Sequence, residues 1–565
     1  MLRKPLPWNN PSHSSIVALW IDRLWMLGLF VTAGILLGLN LGNLPLRDWD
    51  EGTVAQVARD IWRSPPGSLV WLHPTLAGEP YFNKPPLMHW LMALTFRFGG
   101  VNEWMARLPG ATLTALSVPL LYGIGRHLFS QRTPAIFTAL VYLTLLPVVR
   151  HGRLAMLDGA VLYFFLLLIV CLLRTRRDLR WGLGVGIAFG LLCLTKGIVA
   201  LLLGAIAIAF ILWDTPRLLT SGYVWVGVLL GSAPVVAWYW AQWLYYGQPF
   251  LTIGLFSQSL DRVVVPVEGN RGEPWYYLLE ILKYSAPWLL FFPQGLKLAW
   301  ENRNLSWAKL ILVWASGYLL VISFMSTKLP WYVLPVYPAF AIAVGAYLSD
   351  VWQPSDVLWL HQPKRRRYPI AWIAILSLLA IAGWVSSFYF SILSPQPQPG
   401  LPVILGAVAL TLTAAIVLLW RSDSQFMLVL FWGMYVSLLL FVASPYWLWE
   451  LEESYPVKPV AALVRQNTPP DATVWTLYPY GRPSLNFYSD RRMIQSAANS
   501  NQLPAAFQDY WQHDPHPYLL VEQATLTKLA LPFVKPLGTV ENWVLLTRQA
   551  AILESENART NLPLK

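Results

Sequence analysis

Long apolar runs separated by short polar breaks dominate the first 444 residues. A helix that crosses a bilayer needs about 20 mostly apolar residues. The runs that reach or approach this length are 24–42, 107–129, 134–150, 154–173, 181–195, 197–213, 222–245, 285–300, 306–325, 331–349, 370–390, 401–420 and 425–443. They predict a mainly α, polytopic membrane protein with about thirteen spans. Inside one run, Gly182, Gly186 and Gly190 recur at four-residue spacing. Small residues at that spacing let helices approach closely, so the stretch predicts a packing face and not a dinucleotide loop. Two shorter stretches are amphipathic. In 51–63, Val54, Val57, Ala58, Ile61 and Trp62 follow helical spacing. The stretch after Pro86 is too short to span comfortably and predicts a helix lying along the interface.

The pattern changes at the C-terminal end. The runs 472–478, 517–523 and 542–548 are short and apolar, with polar stretches of helical character between them. They predict a small α/β domain. The expected organisation is a membrane catalytic domain over 1–444 and an α/β domain over 445–565. Neither an internal repeat nor a low-complexity tract appears.

Charge supplies the orientation. Cytoplasmic loops are enriched in Lys and Arg. The basic runs 174–180 and 363–368 fall on the same side as the basic N-terminus, Arg126, Arg132, Arg217, Arg303 and Arg421. The uncharged loop 394–400 falls on the other side. The N-terminus is therefore expected inside and the C-terminus outside. This puts three large pieces outside: 45–106, 246–284 and 445–565. Arg3 and Lys4 precede an apolar segment without a small-residue cleavage site, which predicts an uncleaved first span.

Composition agrees. Hydrophobic residues make up 56% and charged residues 12%, where soluble domains carry about a quarter charged. The 31 Trp and 25 Tyr suit bilayer interfaces. The net charge of +12 forms no basic stripe with a recognition motif, so it points to anionic membrane lipid and not to nucleic acid. Cys171 and Cys193 lie in apolar runs and read as small core residues.

Against this apolar background, Asp48, Asp50 and Glu51 crowd the end of the first span. One reading is helix capping, since Asp50 and Glu51 sit where the helix of 51–63 begins and negative charge is favourable there. The other is a reactive site. Further ionisable residues fall at the same outer depth: Asp158, Lys196, Lys328, and Asp261, Arg262, Glu268, Arg271 and Glu273 of the second outer loop. Such residues in membrane segments are costly and are usually paired or functional. Carboxylates serve as general bases toward an acceptor, and Lys and Arg hold a phosphate as it departs. Together they suggest group transfer from a lipid-linked phosphate at the outer leaflet. His151 reads as a hydrogen-bonded interface histidine, and 511–516 as a polar loop and not a metal cluster. No Ser-His-Asp pattern, phosphate-binding glycine loop or zinc signature is present.

The segments WDEGTVAQVARDI, LAGEPYFNKPPLMHWLMAL, VNEWMARLPGA, RLAMLDGAV, LTKG and STKLPWYVLPVYPAFA occur in this order over about 45–350. In this the chain resembles the dolichyl-phosphate-mannose–protein mannosyltransferase-like family, which includes the bacterial aminoarabinose lipid A transferases. The resemblance implies a GT-C fold and an inverting glycosyltransferase that uses a polyprenyl-phosphate sugar. It makes Asp50 the central catalytic carboxylate, with Glu51 beside it and Asp158 as a second acid. Lys84 and Arg262 would bind the donor phosphate, with Tyr81 and Tyr332 lining the pocket and Lys196, Lys328 and Arg271 as further contacts. Asp48 is expected to be a solvated neighbour.

Two departures stand out. Many members carry an arginine where this chain has Thr53. Some have a glutamate, implicated in binding a divalent metal ion, where this chain has Asn83. The metal is the one candidate cofactor. The expected partners are a polyprenyl-phosphate sugar, membrane lipid, and a lipid, glycan or protein acceptor. The expected state is a monomer in the bacterial plasma (inner) membrane, with the site facing out. A non-enzymatic carrier or flippase of lipid-linked sugar is the competing class, and an assembly scaffold acting through the tail is a third.

Overall fold

A computed structural model describes residues 13–266, 269–352, 368–448, 456–477, 481–495, 505–526 and 534–549. Glu268 and the run 363–367 lie outside the described residues. The chain forms two compact units. One comprises Met1–Leu44, Phe82–Leu91 and Trp104–Leu448 and is called the membrane unit below. The other comprises Pro45–Tyr81, Met92–Glu103 and Trp449–Lys565 and is called the outer unit.

Among the described residues, the membrane unit holds ten helices long and apolar enough to cross a bilayer. An eleventh results if the pair Thr133–Leu143 and Leu146–Gly152, bent by 59°, is one span. The chain is a multi-pass membrane protein. The sequence pattern suggests about thirteen spans, and two stretches account for most of the difference. The run 285–300 gives one helical stretch, Trp288–Phe291 running on into Phe292–Glu301, that is too short to cross alone. The runs 181–195 and 197–213 are two helices that meet at a kink at Lys196, with φ −151° and ψ 70°, and the stretch Gly182–Asp214 enters the count of ten only once. A Cβ on Gly204 would sit 2.7 Å from the Phe189 ring. Residues 189 and 204 of a straight helix would be about 22 Å apart. The two halves therefore fold back on each other at Lys196.

The glycine stripe packs as its spacing predicts. A methyl group on Gly186 or Gly190 would overlap the backbone at Gly227 and Gly231 of the helix Gly222–Tyr246. Several of the basic ends assigned to the inner side meet acids there. Asp22 takes Arg126 at 3.2 Å and Arg132 at 2.8 Å, and Asp214 takes Arg176 at 2.6 Å and Lys309 at 3.7 Å. Tyr337–Trp352 is buried almost throughout and forms the core of the unit. Ile370–Phe388 buries only Trp372, Leu376 and Ala380 and leaves an apolar face exposed, as a lipid-facing helix does.

The outer unit has a short antiparallel hairpin, β1 (Thr75–Leu76) with β2 (Glu79–Pro80), turned by Ala77 and Gly78 at positive φ. Its main sheet contains β3 (Thr473–Thr476), β4 (Arg492–Gln495), β5 (Tyr518–Glu522), β6 (Val534–Val540) and β7 (Trp543–Arg548), in the order β4-β3-β5-β7-β6. The first three are parallel, and β7 and β6 join antiparallel. Alternation along β5 sends Leu520 to one face and Leu519 and Val521 to the other. Val460, Val464 and Leu485 of two helices cover the first face, and Phe507 and Trp511 of Ala505–His513 cover the second. The three apolar runs read from the sequence are β3, β5 and β7. The strands β4 and β6 were not legible because their residues are largely exposed and β6 carries Pro536 on an edge strand.

Candidate active site

A small cavity of about 60 Å³ lies within the membrane unit. Lys84, Lys196, Arg262 and Tyr332 line it together with an apolar and aromatic wall of Phe82, Ile198, Val199, Leu202, Trp238, Tyr239 and Phe250. Lys196 lines it from the kink between the two helices of Gly182–Asp214. The adjoining Gly197 leaves room for the Tyr239 hydroxyl, which would lie 2.7 Å from a Cβ at that position. The Lys196 ammonium is 2.8 Å from the Asp158 carboxylate, and both side chains are largely buried. It also lies 5.3 Å from the centre of the Tyr332 ring, within cation–π range. Asp158 begins the helix Asp158–Thr175, where a negative charge meets the positive end of the helix dipole.

Arg262 reaches the cavity from the second outer loop, and the STK segment holds that loop. Ser326 and Thr327 donate backbone N–H bonds to the carbonyls of Val263 and Arg262, at 2.9 and 3.2 Å. Their hydroxyls donate to Val264 and Val265, and Lys328 N–H donates to Asn270. The Arg262 guanidinium approaches the Tyr332 hydroxyl at 3.4 Å. The Lys328 ammonium turns away from this cavity and donates to the carbonyls of Ile322 and Ser323, at the end of the helix Gly317–Phe324. Burial pulls it below the usual lysine range. Arg271 bridges Thr327 through its backbone. Neither Lys328 nor Arg271 lines the cavity.

The acids at the end of the first span belong to the outer unit. Asp48–Gly52 forms a wide π-turn, and the α-helix Thr53–Arg63 starts after it, without a side-chain cap. Gly52 N–H donates to the Arg47 carbonyl at 2.6 Å, and Arg47 N–H donates to the Glu51 carboxylate at 3.1 Å. Glu51 is buried and Asp50 half-buried. Asp48 is not the solvated neighbour expected. It is 4% exposed, pairs with Arg482 at 2.5 Å and accepts the Ser484 hydroxyl. The tail supplies both partners, more than 400 residues away (482 − 48 = 434), so local pattern could not reveal them. Tyr81 is buried in the same unit, its N–H on the Pro74 carbonyl, and its chain neighbour Phe82 lines the membrane-unit cavity.

A larger cleft of about 400 Å³ occupies the outer unit, lined by Gln56, Arg59, Asp60, Arg63, Asp490, Arg491 and Arg492 among others. Its charges are largely spent on one another. Asp490 takes Arg59 and Arg63, both at 2.5 Å, and Arg492 pairs with Glu79. Asp60 accepts Gln56, Thr75 and the Gly78 N–H, while burial raises its pKa above the usual carboxylate value. Size therefore does not single this cleft out as the site of chemistry. His151 is buried with Nδ1 3.1 Å from the Pro147 carbonyl. Among the described residues, no three His, Cys, Asp or Glu side chains gather to hold a metal ion, and 511–516 forms no such group.

Known proteins resemble this chain in sequence and in fold. A family model described as dolichyl-phosphate-mannose-protein mannosyltransferase matches residues 83–240, the stretch that carries Lys84, Asp158 and Lys196. The undecaprenyl phosphate-alpha-4-amino-4-deoxy-L-arabinose arabinosyl transferase 1 of Pseudomonas fluorescens is 29% identical over 393 residues, 67% of this chain and 68% of that protein. The corresponding transferase of Aeromonas salmonicida is 28% identical over 63% of this chain and 66% of its own length. The crystal structure of ArnT from Cupriavidus metallidurans bound to undecaprenyl phosphate matches with a TM-score of 0.72 at 20% identity. The match covers 96% of this chain and 99% of that one. The chain has the GT-C fold of that structure and resembles these membrane glycosyltransferases over about two thirds of its length. It contains a cation-lined cavity with an apolar wall in its membrane unit and an acidic turn in its outer unit. The aromatic wall and the tail residues Arg482 and Ser484 escaped the sequence reading, because aromatics fill every span and the tail residues carry no spacing signal.

Proposed function

We propose that this chain moves a sugar, by its relatives a pentose, from an undecaprenyl-type phosphate to a lipid acceptor at the outer face of the bacterial plasma membrane. The observation that carries this reading is the cavity in which Lys84, Lys196 and Arg262 stand against an apolar wall. A phosphate on a polyprenyl chain matches both halves of that lining. Lys84 and Arg262 hold the phosphate and stabilise the charge it gains as it leaves. Lys196, held by Asp158 and Tyr332, adds positive potential at the same place. Asp50 accepts the proton of the acceptor hydroxyl. The acceptor oxygen bonds to the anomeric carbon as the bond from that carbon to the phosphate oxygen breaks, and polyprenyl phosphate departs. A single displacement of this kind inverts the anomeric centre.

The test uses the purified full chain with radiolabelled polyprenyl-phosphate sugar and membrane lipid acceptors. Release of polyprenyl phosphate together with a labelled lipid supports transfer. Movement of intact donor with no release supports the carrier reading instead. Asp50→Asn is expected to lower transfer by about 10²–10⁴-fold while donor binding persists. Undiminished transfer in that variant would remove Asp50 from the chemistry.

A further inference from the structure

We propose that Arg482 and Ser484 are positioning residues for the transfer, acting through Asp48 on the turn that carries Asp50. The inference rests on the assignment of Asp50 above. The turn is a π-turn in which Gly52 N–H donates to the Arg47 carbonyl and Arg47 N–H to the Glu51 carboxylate. Such turns are rare and occur often at functional sites. Four contacts from the tail hold it. Arg482 and Ser484 bind the two oxygens of Asp48 at its start. Gly52 at its end lies so close to Ser484 that a Cβ there would be 2.6 Å from the Ser484 nitrogen. The Tyr488 hydroxyl accepts the Leu46 N–H at 2.8 Å just before it. Asp50 sits between these pinned points.

The pair is shielded, with side-chain exposures of 11% for Arg482 and 5% for Asp48. Removing one partner takes away a charged contact in a poorly solvated place and loosens the turn. Leu485, next to Ser484, packs into the sheet's apolar core, whereas Arg482 and Ser484 turn their polar groups to Asp48. Other contacts already join the tail to the first loop and its neighbour, among them Arg59 and Arg63 with Asp490, and Lys458 with Glu103. What this pair adds is a hold on the start of the turn.

The experiment measures kcat per donor-binding site in the full chain reconstituted in lipid, with sites counted by labelled polyprenyl-phosphate sugar. Arg482→Ala is expected to lower kcat per site by about 100-fold with KM for the donor within about threefold. Ser484→Ala, which removes one hydroxyl, is expected to lower it by about tenfold. Arg482→Lys restores part of the loss, and the acid limb of the pH–rate profile moves in each variant. A purely structural role reduces the number of sites and leaves turnover per site and the pH profile unchanged, which overturns the proposal. Should Arg482→Ala not fold, Ser484→Ala and Gly52→Ala decide by the same readout. If Asp50→Asn is itself fully active, the Asp50 assignment fails first. If Asp50→Asn is dead and these variants turn over normally, the positioning role alone fails.

Discussion

In the membrane unit, Lys196 has one acidic partner, Asp158 at 2.8 Å, and both are buried beside a cavity. In the outer unit, Asp490 has two arginine partners, and one of them, Arg63, is mostly exposed. The first arrangement leaves cations facing an apolar-walled pocket. The second folds charge into a network with water at its edge. Low dielectric makes a lone buried charge costly, so Lys196 and Asp158 are held as a pair, one at a helix kink and the other at a helix start. In the Asp490 network solvent reaches Arg63 and screens its charge. The Lys196–Asp158 pair has no such screening, so its loss should cost more.

The largest effect should come from Lys196→Ala, which leaves Asp158 buried without its cation. A loss of about 3–5 kcal/mol is expected, read as a lowered unfolding midpoint in lipid. The double variant with Asp158→Asn should recover much of it. A loss below that of the outer-unit variant below would break the contrast.

His89 extends the test to pH. Burial drives its pKa down to about 4 from the usual 6.5, helped by the nearby Lys84. The unfolded chain thus takes up a proton between these values that the folded chain refuses. Stability is full above about pH 6.5 and falls as pH drops toward 4, by about 3 kcal/mol in total. Acid unfolding should flatten across this window in His89→Leu.

Lys84→Ala removes a charged phosphate contact. Donor affinity should fall by about 1.5–3 kcal/mol, roughly ten- to a hundredfold, measured by binding of labelled donor. Unchanged affinity would detach Lys84 from the donor. The smallest effect is expected for Asp490→Ala, about 1–2 kcal/mol, because Arg59 keeps the Phe487 carbonyl and Arg63 is solvated.

Much of this was legible along the chain. Apolar length marked the helices, and glycine spacing marked the contact at Gly186 and Gly190. The run containing Lys196 read as two segments, and the structure folds it there. The reading failed at Asp48. A carboxylate beside two others in a polar stretch looks solvated, and only the tail's Arg482 and Ser484 make it a buried partner. Lys84, Arg262 and Tyr332 were chosen by motif, and the cavity gathers all three. Lys328 and Arg271 came from the same kind of reasoning, yet their neighbours use them to hold a loop.

By itself, then, the sequence determined the membrane class, the helical architecture and the residue types available for phosphate chemistry. Those follow from local terms: apolar length against bilayer thickness, and the cost of charge in lipid. Tertiary structure alone decided which charges pair, which face a cavity and which act as props. Each of those outcomes depends on groups tens to hundreds of residues apart meeting within hydrogen-bond distance. That meeting is set by packing, and no local pattern encodes it.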